Sequence, residues 1–299
     1  MEHKHSHTHS HRQPDMQGNK LYLAVVINIL LTVAQVIGGL FSGSLSLLAD
    51  ALHNFSDAGA LLIAAIAAKI AKVPADQRMT YGYKRAEILG ALINSTTLVV
   101  IGLYLIYEAI SRYSEQKPID GMTVIWIATI ALVIDILTAV LTYQGSKDSM
   151  NIRAAFIHNI SDAAASLVVI VSGILIVNYQ MYVVDLVATL IISFYILYHS
   201  FYLIKDSILI LMQSVPHHLN VEEVKKTIEE NAFIKEAHHI HIWCLDEKKT
   251  FLEAHLVVEE NTLLQIENIK KEIRSRLKDL YSIQHTTFEF EITESCENC

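Results

Sequence analysis

The sequence predicts an all-α bundle of six transmembrane helices, followed by a small cytoplasmic α+β domain with the element order αββαβ. Hydrophobic residues make up 52% of the 299 residues, and they are concentrated between residues 21 and 212. Beyond Pro216 the composition changes to Glu, Lys and His, which indicates a soluble domain. We therefore expect a disordered His-rich tail over residues 1–20, a transmembrane domain over 21–212 and a cytoplasmic domain over 213–299.

Six segments are long and apolar enough to cross about 30 Å of hydrocarbon as helices. The first of them, LYLAVVINILLTVAQVIGGLF, contains no charged residue. The apolar segments are too many, and reach too far into the chain, for a cleaved signal peptide. The predicted spans are residues 21–41, 44–71, 86–112, 121–144, 152–177 and 181–211.

Basic residues near the span ends predict the orientation. With six spans, both termini and the loops 72–85 and 145–151 share one side of the membrane, and that side carries most of the nearby Lys and Arg residues. The opposite side has Arg112 and Lys117. Because the more basic side faces the cytoplasm, we expect both termini there. Short loops and the lack of eukaryotic targeting signals favour a bacterial inner membrane.

Two stretches inside the spans repeat one pattern of chargeable residues, LHNFSDAGA in the second span and IHNISDAAA in the fifth. The repeated residues are His53 and Asp57 in one copy and His158 and Asp162 in the other. Residues four apart share a helix face, and an Asp at bilayer depth costs roughly 2.5–3.5 kcal/mol. If the two helices face each other, two nitrogens and two carboxylates form a site suited to tetrahedral zinc.

The alternative reading of each pair is a structural polar contact between helices, which a matching second copy disfavours. The repeated Asn54, Asn159, Ser56 and Ser161 are interpreted as supporting or packing groups. Asp50 lies near the face of Asp57, either as a helper in the ion path or as a structural partner of another helix. Four single polar residues also lie in or near the spans: Gln35, Glu108, Asp135 and Asp185.

At these residues the chain resembles the cation diffusion facilitator family of metal transporters. The resemblance lies in SLSLLADALHNFSDA, AAFIHNISDA and YGYKRAE, and it covers nearly the whole chain. It implies that the two His–Asp pairs form the transport site, in the two-His, two-Asp version of the zinc-type branch. Manganese-type relatives tend to carry Asp in place of these His residues, in agreement with the preference of imidazole for zinc, cobalt and cadmium. The resemblance also implies a homodimer.

The N-terminal segment MEHKHSHTHSHR alternates histidine with polar residues. Such a segment cannot form a core, so disorder is expected, and neutral histidines bind divalent metals. The alternative is an artificial tag, although tags are usually contiguous. We interpret His3, His5, His7, His9 and His11 as a metal-capturing tract.

The C-terminal region reads as two amphipathic helices, NVEEVKKTIEENA and TLLQIENIKKEIRSRLKDLY, and three strands that alternate with period two. Its order indicates an α+β sandwich, and the family's C-terminal domain is similar, a metallochaperone-like fold that dimerises. A second cluster of candidate ligands comprises His238, His239, His241, His255 and His285, with Glu289 and Glu291 on the last strand.

Strict alternation along the first strand predicts His239 and His241 on one face and His238 on the other, and we interpret His239 and His241 as ordinary surface histidines. By resemblance, His238 and His255 match recurrent regulatory positions, and His285 or Glu291 completes the set.

The chain ends in CENC, and Cys296 and Cys299 form a CxxC half-site for a metal. A βαβ thioredoxin context is missing, so redox chemistry is not expected. The reducing cytoplasm keeps these thiols free for metal, and we expect them to add a site to the cytoplasmic domain. Cys244, in a strand, is read as a buried residue.

The expected function is proton-coupled efflux of divalent metal from the cytoplasm by alternating access. Zinc, with cadmium or cobalt as alternatives, is expected as both the cargo and a regulatory ligand, and protons as the counter-ion. A membrane metalloenzyme is a second reading, disfavoured because HExxH is missing and no group is left over as a base. A metal sensor is a third, but it would not need two buried HxxxD pairs. We expect no enzymatic activity and no nucleic-acid partner.

Overall fold

The computed structural model describes residues 16–143, 150–246, 249–259 and 265–292. The histidine tract, most of the predicted tail, the loop around Lys147, and the pair Cys296 and Cys299 lie outside these residues. The described residues pack into two compact units. One consists of the described parts of 1–59 and 98–198, and the other of 60–97 and the described part of 199–299.

Six long helices follow one another, as the apolar pattern predicts. They are α1 (Met16–Ser42), α2 (Leu45–Ala71), α3 (Ala86–Tyr113), α4 (Gly121–Tyr143), α5 (Met150–Tyr179) and α6 (Val183–Leu211). Over the described residues, α2 to α6 each contain a segment long and apolar enough to cross a membrane, and α1 adds the apolar stretch Ile27–Ser42. Helices suit this role because every backbone hydrogen bond inside them is made within the segment.

The outer faces of these helices are apolar, as a lipid environment requires. Phe41, Leu141 and Tyr198 have exposed fractions of 86%, 80% and 79%. An exposed apolar surface of this extent marks a membrane or partner surface rather than a water-facing one. Polar residues such as Gln35 and Asp185 are instead fully buried among the helices.

The start of α2 is held by a carboxylate from another helix. Asp185 accepts hydrogen bonds from the Ser44 hydroxyl at 2.6 Å, the Leu45 amide at 2.7 Å and the Ser46 hydroxyl at 2.6 Å. These contacts satisfy donors at a helix N-terminus, where a negative charge is also favoured by the helix dipole. The tight turn before them uses Gly43 at φ +75°, which glycine adopts without strain. Asp185 thereby fixes the entry of the helix that carries His53 and Asp57.

Helices α4 and α5 pack closely through glycines. A Cβ on Gly121 would come within 2.9 Å of the Gly173 carbonyl oxygen, and one on Gly173 within 2.8 Å of Ile125. Small residues allow membrane helices to approach each other in this way. The close approach brings Asp135 of α4 to Ser166 of α5.

The C-terminal elements have the predicted αββαβ order: α7 (Val221–Glu229), β1 (Ile234–Cys244), β2 (Thr250–Val258), α8 (Ile266–Tyr281) and β3 (Ile283–Glu291). The sheet order is β1-β2-β3, with β1 antiparallel and β3 parallel to β2. Apolar side chains of both helices and the three strands form one core, which includes Ile228, Leu252, Leu256 and Leu277. The strand register decides which side chains of the sheet meet.

Candidate metal sites

The structure brings the two predicted His–Asp pairs together. On α2, His53 Nε2 lies 3.6 Å from Asp57 Oδ2, and on α5, His158 Nε2 lies 3.3 Å from Asp162 Oδ2. Across the two helices, His53 Nε2 lies 3.4 Å from Asp162 Oδ1, and His158 Nε2 lies 3.5 Å from Asp57 Oδ2. Each imidazole therefore faces both carboxylates.

These four separations suit a metal ion better than direct hydrogen bonds. The ligands of a tetrahedral zinc ion, bound at about 2.0–2.2 Å, lie roughly 3.3–3.6 Å from one another. An N–H···O hydrogen bond is shorter, with a usual distance near 2.9 Å. Each of the four nitrogen–oxygen distances falls in the range for a tetrahedral ion, but His53 and His158 approach different oxygens of Asp162. One ligand atom each of His53, Asp57 and Asp162 lie within 4.8 Å of one another, and His158 lies outside that group.

The site has a closed side and an open side. The side chains of His53 and Asp162 are nearly buried, with exposed fractions of 7% and 8%, whereas Asp57 is 25% and His158 45% exposed. An ion can therefore reach the site past His158 and Asp57. On the closed side, the Tyr195 ring of α6 packs edge-on against His53, with the ring centroids 6.2 Å apart.

A second cluster forms on the C-terminal sheet. The register pairs His238 of β1 with His255 of β2, and it places Glu289 and Glu291 of β3 beside β2. His255 Nδ1 lies 2.6 Å from Glu291 Oε1, and His238 Nε2 lies 3.3 Å from Glu291 Oε2. The hydrogen bond from His255, followed by the positive potential of His238 and His255, lowers the pKa of Glu291. His238, His255 and Glu291 form a half-exposed group of potential ligands.

The structure places His285 elsewhere, and of the two residues predicted to complete this set it brings only Glu291 to the cluster. His285 pairs with Phe251 in the register of β2 and β3, and the two rings lie 4.6 Å apart. Glu291 lies six positions after His285 along β3. At about 3.3 Å per residue, that separation is too long for one ion to bridge.

The expected alternation of β1 agrees with the structure for His239 and His241, whose ring centroids lie 4.8 Å apart, but it is wrong in separating His238 from them. A register shift between His238 and His241, with His239 in the left-handed region at φ 51°, interrupts the strand pattern. As a result, the rings of both His238 and His239 approach the His255 ring, at centroid distances of 5.4 Å and 5.0 Å. A bulge inserts an extra residue into one strand, so strict alternation cannot predict facing there. His239 therefore borders the cluster.

Comparison with known proteins decides the family. Residues 21–212 match the family described as the cation efflux transmembrane domain, and residues 216–292 match the cation efflux protein cytoplasmic domain. This chain belongs to the cation efflux family. It is therefore a multi-pass membrane protein, and the prediction of a transporter rather than an enzyme is confirmed, since its relatives are named as transporters.

Two relatives of the transporter show the extent of the similarity. A cadmium, cobalt and zinc/H(+)-K(+) antiporter of Bacillus velezensis is 37% identical over 262 residues, which cover 87% of this chain and 83% of that protein. The zinc transporter ZitB of Escherichia coli is 32% identical over 297 residues, covering 97% of this chain and 93% of that protein. A solved structure described as "Metal-bound C-terminal domain of the CzcD transporter from Cuprividus metallidurans" is 31% identical, with a TM-score of 0.23, and covers 25% of this chain and 100% of that one.

Sequence reasoning missed a polar network next to the His–Asp site of the transporter. Gln35 of α1 donates from Nε2 to Asp50 Oδ2 at 2.6 Å, and it accepts from Asn54 Nδ2 at 3.0 Å. The Ser166 hydroxyl lies 3.2 Å from Asp135 Oδ2 and 3.5 Å from Asp50 Oδ2. Each of these residues is an isolated polar position in its own helix, so the sequence signals the residues but not their connection.

Among the repeated supporting residues, Asn54 belongs to this network through its bond to Gln35. Ser161 instead donates to the Ile157 carbonyl of its own helix at 3.1 Å. A serine that bonds back into its own helix contributes little to a site.

Proposed function

We propose that the transporter moves zinc out of the cytoplasm in exchange for protons, through the site formed by His53, Asp57, His158 and Asp162. That the chain is a divalent metal cation efflux transporter follows from its family. The observation that carries the finer proposal is that each histidine lies 3.3–3.6 Å from a carboxylate oxygen of both aspartates, the separation of neighbouring ligands around a tetrahedral ion, with Asp162 presenting a different oxygen to each histidine. Two imidazoles and two carboxylates suit zinc, cadmium and cobalt better than the harder manganese.

The helices suggest how the site alternates between the two sides. Asp57 and Asp162 each face both histidines, so the bound ion would hold α2 and α5 together. A change in how α2 and α5 pack would expose the ion to the opposite side without dismantling either pair, because each pair lies on one rigid helix. This is alternating access about a site near the membrane midplane.

Protons are the proposed counter-ion. Neutral imidazole binds a metal ion and imidazolium does not, so metal binding and proton binding compete at His53 and His158. An acidic outer side would therefore favour metal release there. The name of the B. velezensis relative, an antiporter of protons and potassium, supports exchange of a metal for monovalent cations.

The proposed topology places both termini and the cytoplasmic domain over 213–299 in the cytoplasm of a bacterium, with residues 21–212 in the inner membrane. The loop between α2 and α3 carries Lys72, Arg78 and Lys84, whereas the loop between α3 and α4 carries Lys117. The side with more Lys and Arg faces the cytoplasm. Bacterial relatives match nearly the whole chain.

The cytoplasmic domain is proposed to sense metal in a homodimer. The cluster of His238, His255 and Glu291 offers three potential ligands on one sheet face, and the matching family domain is a cytoplasmic domain named for dimerisation. Zinc bound there would offset the acidic charge that repels two protomers. Cys296 and Cys299 are proposed to contribute a further site.

Zinc flux into proteoliposomes tests this function. Wild-type protein should accumulate zinc, and uptake should rise when the lumen is more acidic than the bath. Zinc uptake equal to that of protein-free vesicles would refute transport of zinc, and uptake indifferent to the pH gradient would refute proton exchange while leaving transport intact. Manganese offered alone should be taken up poorly, since the site lacks the oxygen-rich set that manganese prefers.

A further inference from the structure

A buried pair of carboxylates lies one helical turn from the proposed transport site and is not used by it. Asp50 and Asp135 are 1% and 7% exposed, and Ser166, which lies between them, is fully buried. Gln35 approaches from α1, so four helices contribute to the network. Ionisable residues inside membrane spans are costly, so a role is the default expectation for them.

The donors available cannot satisfy two ionised carboxylates. The Ser166 hydroxyl has one proton and lies near both Asp135 Oδ2 and Asp50 Oδ2, so it can donate to one of them at a time. Gln35 supplies one further donor, to the same oxygen of Asp50. The other oxygen, Asp50 Oδ1, is buried and has no hydrogen-bond partner among the described residues. Two neighbouring buried carboxylates of this kind cannot both remain ionised, so the pair requires a cation.

A proton fits this requirement better than a second divalent ion. Within the described parts of the chain, Asp50 and Asp135 belong to no group of three or more His, Cys, Asp or Glu ligands close enough to share an ion. A divalent ion buried without such a group would lack ligands. A proton needs only one oxygen, and the orphaned Asp50 Oδ1 provides it.

The pair lies on the path that a proton would take between the outer side of the membrane and the transport site. Asp50 lies three residues nearer than His53 to the start of α2, and Ser166 lies four residues nearer than Asp162 to the end of α5. With the proposed orientation, the start of α2 and the end of α5 both face away from the cytoplasm. A proton entering from the outside would meet this pair before the metal.

Charges of the transport site act directly on the pair. Asp50 interacts electrostatically with His53 of its own helix, with Asp135 of α4 and with Asp162 of α5. Asp135 interacts with Asp162, His158 and His53. Adding a proton to the pair removes a negative charge from beside the metal ligands and so weakens their hold on a cation. By linkage, a bound metal ion weakens the hold of the pair on its proton to the same extent.

We propose that Asp50 and Asp135, bridged by Ser166, bind a further proton that is exchanged for metal, beside the protons that compete with metal at His53 and His158. The proposal rests on the proton-coupled function proposed above. One proton from the outer water forms an O–H bond with a carboxylate of the pair and lowers metal affinity, and the metal leaves outward. When the site next takes up metal from the cytoplasm, the O–H bond breaks and the proton passes to water on the cytoplasmic side.

Full-length Asp135→Asn, Asp50→Asn and Ser166→Ala proteins in proteoliposomes test the proposal. The measured quantity is the stimulation ratio, the zinc uptake with an acidic lumen divided by the uptake without a gradient. The matched control is Asp120→Asn, an exposed carboxylate that caps the start of α4 and lies outside the network. Zinc uptake by each variant in the absence of a gradient shows that the transport site has formed.

In Asp50→Asn and Asp135→Asn, the increase in uptake caused by the gradient should fall about 5-fold or more. In Ser166→Ala this increase should fall by less, and Asp120→Asn should keep the wild-type ratio. Wild-type ratios in both Asn variants would overturn the proposal and leave proton exchange standing. A wild-type protein insensitive to the gradient would refute proton exchange itself. If a potassium gradient stimulates the wild type, and only that stimulation is lost in the variants, the pair binds potassium and the proton assignment is wrong.

Discussion

The two candidate metal sites of this transporter are built on opposite plans. The site between α2 and α5 takes two ligands from each of two helices, at a spacing of four residues, and half of it is nearly buried. The cluster on the sheet takes one ligand from each of three strands, and all three side chains are partly exposed. A helix pair thus keeps ligands together over one turn, whereas the sheet assembles them through strand register.

The two sites also differ in what an ion must displace. In the helical site the nitrogen–oxygen distances exceed those of good hydrogen bonds, so little internal bonding is lost when an ion enters. On the sheet, His255 and Glu291 are already hydrogen-bonded at 2.6 Å, and metal must replace that bond. We expect the helical site to decide whether transport occurs and the sheet to adjust its rate.

The largest effect is expected from Asp162→Ala. The variant should lose zinc transport by at least about 100-fold, because even an outer partner of a metal ligand is worth 10–100-fold and Asp162 faces both histidines. Zinc uptake in proteoliposomes measures it. Ser161→Ala is the matched control on the same helix, since its hydroxyl donates to the Ile157 carbonyl of that helix. Undiminished uptake by Asp162→Ala would remove the helical site from the transport path.

His53→Asp should change selectivity rather than abolish transport. The substitution replaces a nitrogen with a harder oxygen at the buried side of the site, so manganese should compete better against zinc than it does in the wild type. Uptake of labelled zinc against increasing manganese measures this. An unchanged competition curve would show that the histidine does not set the metal preference.

A smaller effect is expected from His238→Ala and His255→Ala. The full-length variants should still transport zinc, but the concentration for half-maximal uptake should rise by about 5-fold, as for a typical coupling between sites. The zinc-induced rise in melting temperature should shrink, because a ligand that binds the folded state stabilises it. His285→Ala is the control, since that residue contacts Phe251 away from the cluster. Complete loss of transport in the His238 or His255 variant would show that the sheet cluster, like the helical site, is required for transport.

The smallest effect is expected from Glu291→Gln in metal-free protein. The pKa of Glu291 is lowered in the folded state by the hydrogen bond from His255, so the carboxylate stabilises the fold above its unfolded pKa, and this contribution is lost as pH falls through the folded value. The variant should therefore melt slightly below the wild type at neutral pH, and the gap should close as the pH falls through the lowered pKa of Glu291. Melting curves across pH measure it, with Glu253→Gln, an exposed carboxylate of β2, as the control. A gap that persists unchanged at acid pH would indicate a cause other than this ion pair.

The spacing of residues was enough to predict the two His–Asp pairs, whereas their meeting was conditional on α2 and α5 facing each other. His53 and Asp57 share a helix face by periodicity alone, and the second copy of the pattern supplies the partner pair. The α+β order of the C-terminal elements was equally readable, since strands and amphipathic helices differ in period. The pairing of His238 with His255 could be suggested only by resemblance, because a strand pattern does not name its neighbour.

By itself, the sequence determined the long apolar helices, the αββαβ order and the two HxxxD pairs, because each of these depends on residues close together in the chain. Only the tertiary structure decided that Glu291 and not His285 joins the sheet cluster, that a bulge turns His239 toward His255, and that Asp185 holds the start of α2. It also decided the meeting of Asp50 and Asp135 at Ser166. These contacts join residues far apart in the chain, through register and helix packing, and no local periodicity encodes such distances.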